Sequence, residues 1–483
     1  MIVHYLSNGL TVKTQQIRLY TSSIFALTQA STLLRAGVII LLAMTAATSY
    51  GATQTTPAQQ LNEDYQKTIA SAYHELANTS AFKVSSPDLT TLISEVNSAD
   101  KNNNPDRAVG LAAANMDIIQ KNINAKELPE LSRIILKNHA TSLAKEILEY
   151  SKKNGDRYTQ AKQQFEFAKY YASQSQWDDA IAHLKTFDLT NDVPPQDGDE
   201  AYIIVGAALQ GKKKHRDALQ YYKKIKPDSA HYAIAQLNLA LVYIRQDWWT
   251  DAQITLEDAI KAAPKDDIEI VNRLYTIMGF SQLQQGFYRN ARDSFRHVKI
   301  NSEYSNRALL GIGMSALNQE DYAGAINAFQ KLKTQDGNDM SVAQSYLLEA
   351  FTLTKTKQND NATEKYNEAI SYYGNKTNYY DNLLKTIKEN NPSSPSVLNI
   401  KLDEDIIKEH ADIKTLAEEL NSLTKLQSYP LSKNTLQQSA VMYSRLYKVY
   451  LDSITEAVTK KQFVFNSYLN QSNFGLTRLY DNQ

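Results

Sequence analysis

The sequence predicts an all-α chain: a superhelical solenoid of paired antiparallel helices closed by a C-terminal helical cap. Three observations lead there. An alanine recurs three residues after an aromatic, in Trp177–Ala180, Trp249–Ala252, Tyr288–Ala291 and Tyr322–Ala325. The recurrence is periodic: Ala218 to Ala252 and Ala291 to Ala325 are each 34 residues apart, a period typical of stacked two-helix repeats. From about Leu89 onward, apolar residues fall at helical spacing between short breakers, with no credible strand.

The chain begins with a segment of another kind. Residues 1–51 hold Lys13, Arg18 and Arg35 and no acidic residue, and the apolar run Ala36–Ala47 follows Arg35 directly. Ser49 and Gly51 then supply small residues. A basic segment, a short apolar core and a small-residue exit read as a secretory signal peptide. The core is shorter than the roughly 20 residues of a membrane span. The competing reading is an uncleaved N-terminal anchor. The expected location is therefore the periplasm, or the inner membrane with a single anchor and the chain facing the periplasm. Residues 52–88 follow as a polar linker and a leading helix, apolar at Leu61, Tyr65, Ile69, Tyr73 and Leu76.

Residues 161–374 carry the repeats. The best unit has Leu239, Ala240, Tyr243, Trp249, Ala252, Leu256, Ala259 and Pro264. The next has Tyr275, Gly279, Tyr288, Ala291, Phe295 and Val298, and then Gly313, Tyr322, Ala325, Phe329 and Leu332. Gly or Ala on one helix allows close approach, and an aromatic on its partner fills the adjoining gap. No unit covers its own apolar face, so neighbours must stack. Upstream, Ala108, Ala144 and Ala180 are 36 apart, which predicts degenerate helical repeats over 89–160.

This pattern resembles the tetratricopeptide repeat (TPR). The resemblance implies a right-handed superhelix whose first helices line a concave, protein-binding groove. Residues 375–400, with Glu389–Ser396 (ENNPSSPS), read as a linker. Residues 401–483 read as a C-terminal helical region: an amphipathic helix over Leu402–Leu426, a break at Tyr429–Pro430, and a long helix from Lys433 toward Tyr480, N-capped by Ser432. That last helix is rich in large side chains and must be covered, most simply by closing the solenoid end.

Composition excludes several functions. Lys and Arg total 52 and so do Asp and Glu, so no net field draws nucleic acid, and no nucleic-acid partner is expected. There are no cysteines, hence no disulfide, no thiolate chemistry and no lipid-bearing cysteine. The eight histidines show no metal-ligand spacing, and no metal or cofactor is expected. Gly279-Phe-Ser281 and Gly313-Met-Ser315 lack the second glycine of a nucleophile elbow, and Ser142-Leu-Ala-Lys145 lacks its companion motifs. No catalytic residue is assigned, and the chain reads as non-enzymatic. Lys212–Arg216 is the densest basic run and falls in a turn, where it is either solvated or a contact for an acidic protein or lipid headgroups.

By the resemblance, the residue after the small one on each first helix, and the residue three further on, face the groove. These pairs are Leu241/Ile244, Phe280/Leu283, Met314/Leu317 and Phe351/Thr354. Arg273, Arg307 and Asn238 are the nearest polar candidates, but they do not complete the Lys/Asn clamp of chaperone-binding members. The expected partner-binding groove is thus Arg273, Phe280, Leu283, Arg307, Met314, Leu317 and Phe351. An apolar groove suits an amphipathic helix or extended apolar segment of an envelope protein, or the chain's own C-terminal helix. Membrane contact is expected only through the N-terminal segment, if uncleaved. The rival readings are a cell-wall-active enzyme with a helical superhelix and an inner-membrane-anchored assembly factor.

Overall fold

A computed structural model describes residues 57–264, 267–336, 339–389 and 400–481. The export segment at 1–51 and residues 390–399 of the expected linker lie outside the described residues. A leading helix α1 (Pro57–Leu76) precedes eight helical hairpins. Unit one is α2 (Leu89–Lys101) and α3 (Pro105–Ala114). A short α4 (Met116–Lys121) separates it from unit two, α5 (Leu128–Lys137) and α6 (Thr141–Asn154). Units three and four are α7 (Arg157–Ser173) with α8 (Trp177–Leu184), and α9 (Pro195–Gly211) with α10 (His215–Tyr222). Units five and six are α11 (Tyr232–Arg245) with α12 (Trp249–Ala262), and α13 (Ile268–Gln284) with α14 (Tyr288–Arg296). Units seven and eight are α15 (Ser305–Asn318) with α16 (Tyr322–Lys333), and α17 (Met340–Lys355) with α18 (Asn359–Glu389). Three helices follow: α19 (Glu404–Glu409), α20 (Ala411–Leu426) and α21 (Lys433–Asp481). Each first helix packs on its second and on the first helix of the next unit, which makes an all-α repeat superhelix.

One local device builds all eight hairpins. At each turn a single residue has positive φ: Asn103, His139, Ser175, Lys213, Asp247, Gly286, Glu320 and Lys357. The next residue's N–H reaches back five positions, as in Trp248 to the Tyr243 carbonyl, Phe287 to Gln282 and Asp321 to Ala316, each 2.9 Å. This left-handed C-cap satisfies the carbonyls left open where the first helix ends. Five residues past each left-handed residue stands an alanine: Ala108, Ala144, Ala180, Ala218, Ala252, Ala291, Ala325 and Ala362. All eight are fully buried.

Seven residues before the turn, units two to eight place Ser132, Ala168, Gly206, Ala240, Gly279, Gly313 and Ala350. Nine residues after it comes a bulky residue that packs onto that site. A Cβ added at Gly279 would stand 2.6 Å from the Phe295 ring, and Gly206 and Gly313 lie equally close beneath Tyr222 and Phe329. Hairpin geometry thus follows from steric fit.

Two sequence-based boundaries shift. The repeat device is already complete at Asn103 and His139, so 89–160 holds two full hairpins. The linker expected over 375–400 is helical as far as Glu389, because α18 continues for 31 residues through Gly374. A Cβ added at Gly374 would meet nothing within 4 Å, and the helix runs through it without a break. Tyr373, Tyr380, Leu383 and Ile387 keep that extension buried.

The turn device carries two predictions. A non-glycine residue in the left-handed region costs about 1–2 kcal/mol in side-chain crowding, partly offset by glycine's greater freedom when unfolded. Lys213→Gly and Glu320→Gly should each raise stability in a denaturant titration by up to about 1 kcal/mol, and Gly286→Ala should lower it by a similar amount. Ala252→Leu or Ala325→Leu should overpack the hairpin and cost about 1–3 kcal/mol. An unchanged midpoint for the alanine variants would show the register to be wrong.

Candidate functional site

The first helices form one inner layer, and the groove residues read from the sequence lie on it. Phe280, Leu283, Met314 and Leu317 join a single apolar cluster that spans units six to eight. Leu283 and Met314 are each 7% exposed and serve as its floor. Phe280 and Leu317 are half-buried, and Phe280 packs edge-on against Phe295 with ring centroids 4.8 Å apart. Phe351 is half-buried, with Lys355 Nζ 5.1 Å over its ring. Arg307 is half-buried. Arg273, expected at the margin, is only 3% exposed and sits beside Glu303 and Tyr304, where burial lowers its pKa. The sequence spacing therefore brought the apolar residues together but did not reveal that Arg273 lies beneath the surface.

The C-terminal helices occupy the two ends of the superhelix rather than its middle. At 49 residues, α21 is about 74 Å long. Its C-terminal half packs along α18 and α17, and its N-terminal half reaches back to α1. At the near end, the Ser432 backbone N–H, the Ser432 hydroxyl and the Thr435 hydroxyl (2.7 Å) all donate to the Glu75 carboxylate. Arg445 pairs with Asp64 at 2.8 Å. At the far end, Gln344 Nε2 donates to the Tyr468 hydroxyl at 3.0 Å, and Gly475 lies against the Tyr366 ring. Phe465 sits among Tyr372, Tyr373 and Tyr380. The expected cap is thus a strut that joins the last unit to the first helix. Among the described residues, no C-terminal helix packs extensively on units four to seven.

Helix α20 packs on α3 of unit one and reaches the turns of units two and three, leaving a cleft of about 470 Å³ against their first helices. Arg133, Lys137, Glu166, Lys169 and Tyr170 line one wall; Lys414, Thr415, Glu418 and Lys425 line the other. His139 joins the three parts. Its ring Nε2 meets Glu418 Oε2 at 2.9 Å, and its carbonyl accepts from Gln66 Nε2 of α1 at 2.8 Å. Gln66 Oε1 in turn accepts the Ser142 N–H at 3.1 Å. Thr415 donates to Gln174 Oε1 at 2.9 Å. Nothing in local sequence spacing linked His139 to Glu418, because their contact spans 279 residues.

The same docking buries acids. Desolvation raises the Glu419 carboxyl to about 7, with His139 opposing and Glu418 reinforcing the shift. Burial raises Asp106 to about 6, opposed by Lys425. Glu166, 7% exposed, is also raised by burial, with Lys169 Nζ 2.7 Å away opposing the shift. A carboxyl whose pKa is raised on folding holds its proton longer in the folded state. Stability from Glu419 is therefore present below about pH 4.5 and is lost as pH rises to about 7. Thermal melts should show Glu419→Gln stabilising the chain at pH 8, by up to about 3 kcal/mol, with little change at pH 4. An equal effect at both pH values would assign the gain to packing instead.

One stretch of the chain matches a known family model. Residues 307–338, spanning α15 and α16, match the tetratricopeptide repeat model. No curated protein sequence matches the chain. Among solved structures, the chain is similar to the apo form of RapI, at 13% identity and TM-score 0.45, covering 71% of this chain and 99% of that one. It is also similar to the apo form of the quorum sensor NprR from B. thuringiensis, at 13% identity and TM-score 0.38, covering 68% and 98%. A third is the APC/C hetero-tetramer Cut9–Hcn1, at 15% identity and TM-score 0.31, covering 75% and 76%. The chain is an all-α repeat superhelix with a tetratricopeptide repeat at residues 307–338.

Proposed function

We propose that this protein is a non-enzymatic scaffold of the bacterial cell envelope that holds a segment of an envelope protein in the inner groove of units six to eight. One observation carries the reading. Helix α20 packs at the first units and α21 braces the last, whereas among the described residues no C-terminal helix packs extensively on units six and seven, where Phe280 and Leu317 of the apolar strip are half-buried. Leu283 and Met314 give it a firm floor, while Arg307 and the buried Arg273 bound it. Such a strip suits an amphipathic helix or an extended apolar segment, whose anchors enter between half-buried side chains. The placement in the envelope rests on the basic–apolar–small pattern of residues 1–51, with the periplasm as the location and an inner-membrane anchor as the second form.

The test uses a photoreactive side chain at position 317 or 351 in the full chain, cross-linked in intact bacteria and mapped by mass spectrometry. The expected product joins the strip to one recurrent segment of another envelope protein. Phe280→Ser with Leu317→Ser should reduce that product at least about tenfold while the melting temperature stays within a few degrees, since truncating a binding anchor costs about 2 kcal/mol or more. A product joining the strip only to α21 of the same chain would overturn the reading. The N-terminus is decided separately: the mass of the purified chain should correspond to loss of about 50 residues.

A further inference from the structure

The turns of units four, five and six follow one another along one edge of the stack, and they share a register. The residue after each left-handed position is Lys214, Trp248 and Phe287 in turn. All three are exposed, Trp248 at 39% and Phe287 at 53%. Two residues further on stand Arg216 in unit four and Arg289 in unit six, both exposed. Lys213, itself left-handed, is exposed beside them, whereas Lys212 is drawn aside by Asp178. Half-buried Trp249 and Tyr288 lie at the base of the two protruding rings. Acidic Asp217, Asp247 and Asp251, all exposed, lie within the row, and unit seven ends it with exposed Glu320 and half-buried Asp321. Among the described residues, no C-terminal helix packs extensively on these units.

We propose that this edge is a contact surface for an anionic lipid bilayer. Lys213, Lys214, Arg216 and Arg289 meet lipid phosphates, while Trp248 and Phe287 enter the boundary between headgroups and acyl chains. The shape favours a membrane over a protein partner. Turn tips at equivalent positions of stacked hairpins follow one another in a row along the stack. Exposed aromatics spaced one unit apart, with the cations of unit four on one side of Trp248 and Arg289 beside Phe287, match a flat surface that is charged outside and apolar beneath. Each lysine or arginine held near such a surface strengthens binding about fivefold. The contact would hold the repeat superhelix against the membrane through its own edge, independently of residues 1–51 and of any occupant of the groove.

The absence of cysteine makes a local test available. Phe287→Cys in the full chain, labelled with a polarity-sensitive fluorophore, is titrated with vesicles of phosphatidylglycerol in phosphatidylcholine. Ile254→Cys, exposed on α12 away from the turns, carries the same label as a control. The label at 287 should shift to the blue and the label at 254 should not. Adding Lys213→Glu and Lys214→Glu should weaken the shift about tenfold or more, as should high salt, while circular dichroism stays unchanged. Vesicles of phosphatidylcholine alone should give little shift. No shift at 287, or equal shifts at both positions, would overturn the proposal. Vesicle binding through a retained N-terminal segment would also leave 287 unshifted and so count against it. Binding of an acidic protein at 287 without a vesicle response would replace the membrane with a protein partner.

Discussion

Everything in this molecule depends on one steric requirement: a helical hairpin of this size can hide only part of its apolar surface. Its two helices approach closely because Gly, Ala or Ser on one meets a ring or leucine on the other, as Gly279 meets Phe295 and Ala240 meets the level of Leu256. That contact closes the hairpin but leaves an open flank, which only the next hairpin can cover. The left-handed residue at each turn fixes the angle at which this happens. Repeating one local solution eight times produces the superhelix without any long-range instruction. It also explains why the period drifts between 34 and 39 residues: the spacing from left-handed residue to buried alanine stays at five, and variation falls in the connections between units.

A stack has two ends, and here both are met by one element. Helix α21 lays its tyrosine- and phenylalanine-rich face against α17 and α18, then extends to α1, where Glu75 and Asp64 receive it. A strut fixed at both ends limits how far the superhelix can stretch, so the inner face is held near one curvature. The cost is electrostatic. Docking α20 beside unit one places Asp106, Glu418 and Glu419 in or near the interface, where water can no longer solvate them fully. His139 and Lys425 offset part of that penalty. The N-terminal closure is therefore the charged part of the assembly, and the aromatic closure at the other end is the apolar part.

How much of this was legible in the sequence follows from the range of each interaction. The alanine period, the small-residue sites and the capping Ser432 are local, so spacing alone revealed them, and the long final helix with them. The turns were read from breakers, yet only Gly286 among the eight left-handed residues is a glycine. His139 takes the same conformation with no compositional mark, and unit one carries Val96 where later units have a small residue, so the first two units look degenerate although their turns are complete. Breakers on either side make the 375–389 stretch resemble a linker, whereas buried Tyr380 and Ile387 keep it helical through tertiary contact. Contacts such as His139–Glu418, Glu75–Ser432 and Gln344–Tyr468 join residues more than a hundred positions apart, and no single-sequence periodicity encodes them.

The division of the inner face follows from the same closure. In units two and three the first helices present Arg133, Lys137, Glu166 and Lys169, and the chain's own α20 faces them across a cleft. In units six and seven the positions equivalent to Arg133 and Lys169 carry Phe280 and Met314, joined by Leu283 and Leu317, and among the described residues no C-terminal helix packs extensively on them. A polar wall can tolerate partial covering, since the remaining cleft stays hydrated and its charges pair locally, as Lys137 does with Asp100 and Arg133 with Glu130. An apolar wall left half open keeps an unfavourable contact with water unless something else covers it. The chain had an apolar helix available in α21 and spent it on the outermost unit. The exposed part of the Phe280–Leu317 strip is therefore surface that the fold itself does not need to bury, which is the physical condition a binding groove must meet.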